Sequence, residues 1–340
     1  MKQNMRQWLE DMRATKIKKA MPILSYPCVQ LMGISVKELI FDSGKQAKGI
    51  KLITEKVESA AAVCLMDLSV EAECFGAGIR FSDGDVPTVI GSVVSDMESA
   101  KALTVPPVGA GGRAHIYIEA AGKAVQTITD RPVLADCIGP FSLAARLAGV
   151  SETMIYCYEE PEIIHTVLSK TTEFLIAYIR EFKKTGVNGI IMAEPVTGIL
   201  SPALASEFSQ PYVKKIIETV RDENFIVIYH NCGGAAIKMI ESILNTGADA
   251  YHFGNAIDMA EMMKFTPEKT IAMGNIDPAA CFRNGSAESV KKTVLELMSK
   301  CAVYPNFIIS SGCDIPPQAD WKNIEAFFDA VKEFYSAARI

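Results

Sequence analysis

His230 and Cys232 stand two residues apart in Ile228-Tyr229-His230-Asn231-Cys232-Gly233-Gly234, and Cys313 follows far downstream in Ser310-Ser311-Gly312-Cys313-Asp314. In extended backbone, residues i and i+2 share a face, so His230 and Cys232 can address one ion together. A nitrogen and two thiolates form a borderline-soft donor set suited to Zn²⁺, and three protein ligands leave a coordination position open for substrate. The competing reading makes Cys232 and Cys313 small apolar core residues, with His230 hydrogen-bonded locally. Their place at the ends of two predicted strands favours the metal. The remaining cysteines, Cys28, Cys64, Cys74, Cys137, Cys157, Cys281 and Cys301, show no ligand spacing with one another and are expected to be core or surface thiols.

Two carboxylates join this set. Asp67 follows Cys64-Leu65-Met66, with Glu71 and Glu73 close behind, and Glu194 ends Met192-Ala193-Glu194-Pro195. Either could orient substrate, accept a proton or complete a zinc shell, or else serve as a helix cap or a loop ion pair. His252 is a candidate fourth ligand or a buried, hydrogen-bonded histidine, and His115 and His165 are expected to be structural. The run Gly109-Ala110-Gly111-Gly112 has no Walker lysine and does not link a strand to a helix, so it is not a nucleotide loop. Gly139-Pro140-Phe141-Ser142-Leu143-Ala144 reads as a turn into a helix whose backbone amides could meet an anion.

The elements that must hold these residues follow a β-α rhythm. Short β-branched runs, each closed by Gly, Pro, Asp or Asn, predict strands over 22–26, 62–66, 133–138, 189–193, 225–230, 249–253, 270–274 and 307–311. Apolar residues at helical spacing predict helices over 161–184, 206–221, 235–245, 287–300 and 323–338. Residues 76–126 break the rhythm with Pro87, Pro106-Pro107 and the glycine run, and read as an inserted loop or hairpin. Eight strands with helical crossovers predict an α/β fold, a closed (β/α)8 TIM barrel with an N-terminal extension, whose working residues lie at the C-terminal strand ends. No linker or charge block divides the chain, so residues 1–340 are expected to form a single domain.

Composition bounds the function. A chain of 340 residues that is 49% hydrophobic and 22% charged can bury a large core, which excludes disordered and low-complexity classes. Its formal charge of −6 argues against a nucleic-acid partner. No apolar run approaches the ~18 residues of a membrane span, and residues 1–19 carry charge throughout without an apolar signal core. Nine cysteines at scattered spacings do not make a disulfide scaffold. These features predict a cytoplasmic protein with reduced thiols and no membrane association.

With these residues in hand, the chain resembles the uroporphyrinogen decarboxylase superfamily, and within it the zinc-dependent methylcobamide methyltransferases of the coenzyme M methyltransferase and chloromethane methyltransferase type. The markers are Gly139-Pro140-Phe141-Ser142-Leu143-Ala144, Gly198-Ile199-Leu200-Ser201-Pro202, Gln210-Pro211-Tyr212, Gly274-Asn275-Ile276-Asp277-Pro278 and Gly312-Cys313-Asp314-Ile315-Pro316-Pro317. The resemblance implies the barrel, and zinc held by His230, Cys232 and Cys313. The decarboxylase branch uses an arginine-rich loop of R-Q-A-G-R type for porphyrinogen carboxylates, whereas Ser25-Tyr26-Pro27-Cys28-Val29-Gln30-Leu31-Met32-Gly33 has no arginine. The stretch from Asp67 to Gly76 looks like the methyltransferase branch.

That branch implies methyl transfer between a corrinoid, methylcobalamin on a carrier protein docked over the barrel mouth, and a small thiol such as coenzyme M. Asp67 and Glu194 then position substrate or ligands. A homocysteine-type thiol and tetrahydrofolate stay open as acceptors, and so does the direction of transfer. Relatives often carry an acid near the end of the sixth strand as a further zinc ligand, where this chain has Tyr251-His252-Phe253-Gly254-Asn255. The fourth position is therefore open to Asp258, His252, Glu194, water or substrate. A metal-independent decarboxylase and a non-catalytic corrinoid- or metal-binding partner are the alternatives. Oligomeric state is not readable from the residues, though the open mouth needed by a carrier favours a monomer.

Overall fold

The computed structural model describes residues 3–337. Seven parallel strands form one sheet in the order β1-β4-β5-β6-β7-β8-β9: β1 is Ala62–Val63, β4 Val133–Ile138, β5 Gly189–Ala193, β6 Ile226–Asn231, β7 Ala250–Phe253, β8 Ile271–Ile276 and β9 Phe307–Ser311. Two short strands, β2 (Gly78–Arg80) and β3 (Thr88–Ile90), pair antiparallel outside it. Helices connect the parallel strands, as this pairing requires.

The first expected strand, over 22–26, is not a ladder strand. Pro22 has no N–H to donate, and Tyr26 and Pro27 already turn into the helix Cys28–Met32. The segment nonetheless spans the two sheet edges. Ala20 O accepts from Ala60 N–H at 2.8 Å on the β1 side, and Met21 N–H donates to Ile309 O of β9 at 3.0 Å. The architecture is thus a curled seven-stranded sheet with an irregular segment along its opening, where eight regular strands were expected.

Alternation sorts the strand residues into two cores. Leu134, Ile191, Ile226, Ile228, Ala250, Ile271, Met273 and Ile308 point into the curl and pack together, while Val133, Ala135, Ile190, Val227 and Ala272 pack outward against the helices. The N-terminal helix Met5–Ala14 belongs to the inner core: Met5 is buried there, with Trp8 and Met12 packed beside it. The inner floor is apolar, so polar inward residues gather toward the C-terminal strand ends.

Departures elsewhere have local causes. The helix expected over 206–221 is two, Pro202–Phe208 and Gln210–Val220, because Pro211 cannot continue a preceding turn and instead sits in the first turn of the second. Residues 235–245 form a 3₁₀ turn, Ala236–Met239, followed by Ile240–Asn245. The excursion after Gly76 holds the β2–β3 hairpin and two helices, Met97–Ala102 and Ala114–Thr127. The second of these buries mainly Ala114, Tyr117, Ala120, Ala121 and Ala124, a face too weakly apolar to signal a helix by periodicity. The last helix is Trp321–Ala337, and Ala338 of the expected span lies outside the described residues. No described helix is long and apolar enough to cross a membrane.

Candidate metal centre

His230 lies near the end of β6 and points inward in step with Ile226 and Ile228. Cys232 follows beyond the strand end, where Asn231 Oδ1 accepts from Gly233 N–H at 2.9 Å and shapes the turn. Cys313 arrives from the loop after β9. The ligand atoms of His230, Cys232 and Cys313 all lie within 4.8 Å of one another, and this is the group of three such side chains that converges among the described residues. His230 is buried, while both cysteines are partly exposed.

The protonation of His230 can be assigned from its partners. Its Nδ1 lies 3.2 Å from the backbone oxygen of His252, and since a carbonyl only accepts, Nδ1 carries the hydrogen. That N–H also faces His252 Nδ1 at 2.8 Å, which must therefore be unprotonated. His252 Nε2–H then donates to Ser310 Oγ at 2.7 Å, and the Ser310 hydroxyl donates to Met21 O at 2.7 Å. Burial, then the neighbouring His230, pushes the His252 pKa well below the usual imidazole range, in keeping with a neutral ring. The relay ends with the His230 Nε2 lone pair, a buried atom with no hydrogen-bond partner. A metal ligand needs that state: a neutral imidazole with one nitrogen fixed by a donor bond and the other free.

The thiols complete the set. A hydrogen bond from Cys313 leads the causes that draw the Cys232 thiol below its ordinary range, against the opposing effect of burial. The same contact, with burial, pushes Cys313 up, so Cys313 is the member of the pair that keeps its proton more readily. A divalent cation would displace that proton. Close backbone packing fixes the three loops. A Cβ on Gly254 would fall 2.4 Å from Cys232 Cα, and one on Gly312 would fall 2.7 Å from Asn255 N, so neither contact admits a side chain. Asn275 Nδ2 latches the intervening loop by donating to Gly254 O and Ile257 O, each at 2.9 Å. The donor chemistry, the free Nε2 and the convergence together fit Zn²⁺.

The two expected carboxylates are buried and lie outside this ligand-distance group. Glu194 accepts from Phe141 N–H and Ser142 N–H, each at 2.9 Å, from Ser142 Oγ at 2.6 Å and from Thr197 Oγ1 at 3.1 Å. It is the anion that meets the N-terminus of the helix Pro140–Ala148. Its backbone N–H donates to His230 O at 2.9 Å, which ties this corner to the end of β6. Asp67 accepts from Ser69 N–H and Oγ, from Tyr117 OH at 2.6 Å and from Arg113 Nη1. Of the other candidates for the fourth position, Asp258 caps the helix Met259–Phe265 and His252 stands behind His230 in the relay. His165 bonds Tyr212 OH and stacks on Phe208, as a structural histidine should.

Sequence reasoning missed Ser310, Arg113, Tyr117, Gly254 and Asp136. Asp136 did leave a signal, a carboxylate within Val133-Leu134-Ala135-Asp136-Cys137-Ile138, an otherwise apolar buried strand. The other roles depend on contacts between distant segments.

Comparison with known proteins adds to the geometry. The sequence model of the family described as Uroporphyrinogen decarboxylase (URO-D) matches residues 17–334. A methylcobamide:CoM methyltransferase, MtbA, of Methanosarcina acetivorans is 26% identical over 277 residues, covering 79% of this chain and 78% of its own. A uroporphyrinogen decarboxylase of Coxiella burnetii is 24% identical over 287 residues, covering 81% and 77% respectively. The solved structure of a methyltransferase from Methanosarcina mazei has the same fold, with a TM-score of 0.85 at 20% identity over 98% of both chains.

Proposed function

The chain belongs to the uroporphyrinogen decarboxylase family, and from that premise we propose that it is a zinc-dependent methyltransferase moving a methyl group between a corrinoid and a thiol. The observation that carries this reading is the convergence of His230, Cys232 and Cys313 on one point, with the buried Nε2 of His230 left free. The named likeness to a methylcobamide:CoM methyltransferase over 79% of the chain supports the same reaction class. In this reading residues 1–340 act as one (β/α)8-type unit in the cytoplasm. The corrinoid arrives as methylcobalamin on a carrier protein.

Zn²⁺ bound there would supply the Lewis acidity that keeps a substrate thiol ionised near neutral pH. The residues do the rest. His230 Nε2 and the two cysteine sulfurs would hold the ion, and the His252–Ser310 relay keeps the imidazole in the required tautomer. Cys232 and Cys313 are the partly exposed members of the set, so substrate approaches from their side. Glu194 and Asp67 act as positioning residues. Glu194 fixes the β5 corner against His230, and Asp67 anchors Arg113 in the wall beside Tyr117. Coenzyme M is the acceptor named for the relative, and a different thiol remains compatible with the same centre.

The test is metal content by mass spectrometry of wild type and Cys313→Ala, followed by thiol-dependent demethylation of methylcobalamin. About one zinc per chain in wild type, much less in the variant, and turnover lost with it are expected. Wild type prepared without chelator and carrying no zinc would sink the reading and turn attention to metal-independent decarboxylation.

A further inference from the structure

On the wall formed by β4, the polar inventory does not close. Asp136 follows Leu134 on the inward face, is 7% exposed, and neither carboxylate oxygen has a hydrogen-bond partner among the described residues. Glu71 reaches the same strand. Its Oε1 accepts from Ile138 N–H at 2.9 Å, and its Oε2 is buried without a partner. Tyr26 is fully buried and its hydroxyl is also unpartnered. It adjoins Ser25, whose Oγ lies 3.5 Å from Asp314, the residue after Cys313. Asp136 lies near enough to Asp314 and Glu71, and Tyr26 near enough to Asp67 and Asp314, for their charges to interact.

A buried carboxylate without donors is costly, and the half-satisfied carboxyl of Glu71, bonded to the same strand, adds to that cost. The cation bonded into this corner, Arg113, is already committed to Asp67, Glu73 and Ser69. A second metal ion does not fit, because these acids do not bring three ligand atoms within 4.8 Å of one another as His230, Cys232 and Cys313 do. Such acids match an organic cation that offers several N–H donors, whose charge would draw off the protons that burial favours on Asp136 and Glu71. They oppose a sulfonate or carboxylate.

We propose that Asp136, with Glu71 and Tyr26, forms the recognition site for a protonated amine or amidinium on the small-molecule substrate that meets the thiolate centre. The inference rests on the proposed methyl-transfer reading for its location and refines the substrate class: a cationic or N–H-rich thiol or thioether, in place of an anionic one such as a mercaptoalkanesulfonate. Asp136 is then a specificity-determining residue.

The test uses ω-aminoalkanethiols and mercaptoalkanesulfonates with two to four methylenes on zinc-loaded full-length protein, and their S-methyl derivatives on metal-stripped protein, all by calorimetry. Wild type should bind the best amine about tenfold more tightly than the best sulfonate, and Asp136→Asn should remove most of that preference. Glu71→Gln provides a second variant should Asp136→Asn fold poorly. Sulfonates binding as well as amines, a preference that survives in the folded variants, or no binding by any amine would each overturn the proposal. Zinc measured on the same samples separates the two ideas. Amine selectivity without zinc sinks methyl transfer and keeps this site, whereas zinc without selectivity does the reverse.

Discussion

Two buried carboxylates on neighbouring strands have opposite fates. β4 and β5 pair with Asp136 beside Ile191 and Ile138 beside Ala193, and Glu194 follows directly. Glu194 accepts four hydrogen bonds, all from protein, and serves a helix N-terminus. Asp136 accepts none from the described residues. Burial raises the pKa of both, and for Glu194 the bonds from Ser142, Phe141 and Thr197 offset part of that rise. A buried acid whose partners are supplied by the fold belongs to the architecture. One whose partners are missing retains capacity for a ligand, and the fold tolerates its cost.

The largest contrast lies in stability. Glu194→Ala should destabilise the protein by about 3–5 kcal/mol, because the amides of Phe141 and Ser142 and two hydroxyls lose a buried acceptor together. Asp136→Asn should be neutral or stabilising by about 1 kcal/mol, since it removes a carboxyl that the fold leaves unpaired. Urea unfolding of both variants checks this. Equal losses would erase the distinction between the two acids.

Glu71 sits between these extremes, with one oxygen bonded and one free, and burial pushes its pKa up to about 8. A carboxyl whose folded pKa is raised contributes stability below its unfolded pKa, ~4.3, and loses it as pH rises through the folded value. Wild type should therefore lose stability between about pH 4.5 and 8 relative to Glu71→Gln, by a few kcal/mol. Parallel stability profiles for the two proteins would show that Glu71 finds a compensating partner.

Much of this site could be read from the chain, for physical reasons that particular residues illustrate. β4, β5 and β9 are fully buried β-branched runs between turn residues, so their limits stand out in composition. The convergence of His230 with Cys232 follows from strand geometry, and Cys313 needs only the further idea that strand ends share one face of the sheet. The irregular segment at 20–25 was hidden because its apolar pattern is strand-like while Pro22 denies it a ladder. The relay was hidden for another reason. His252 reaches His230 across 22 residues and Ser310 across 58, and those contacts depend on register between strands that pattern alone does not set. Glu194 was visible as a strand-end acid, but three of its four donors come from a helix that begins 54 residues earlier.

The smallest effects test whether polar groups around the thiolates hold the centre or ligate it. His252 is of the Glu194 kind, with both ring nitrogens bonded within the fold. His252→Phe keeps a ring in place but leaves His230 Nδ1–H with the carbonyl alone, so zinc affinity should fall about tenfold, the usual effect of losing a partner behind a metal-bound histidine. Asp258 accepts from Ala260 N–H at 2.8 Å and Glu261 N–H at 3.2 Å, which is N-cap work. Asp258→Ala should cost about 1 kcal/mol of stability and leave zinc affinity unchanged. Competition with a chromogenic chelator reads both variants on one scale. If Asp258→Ala loses zinc while His252→Phe retains it, the cap is in truth a ligand that swings inward on binding, and the fourth coordination position belongs to the protein instead of the substrate.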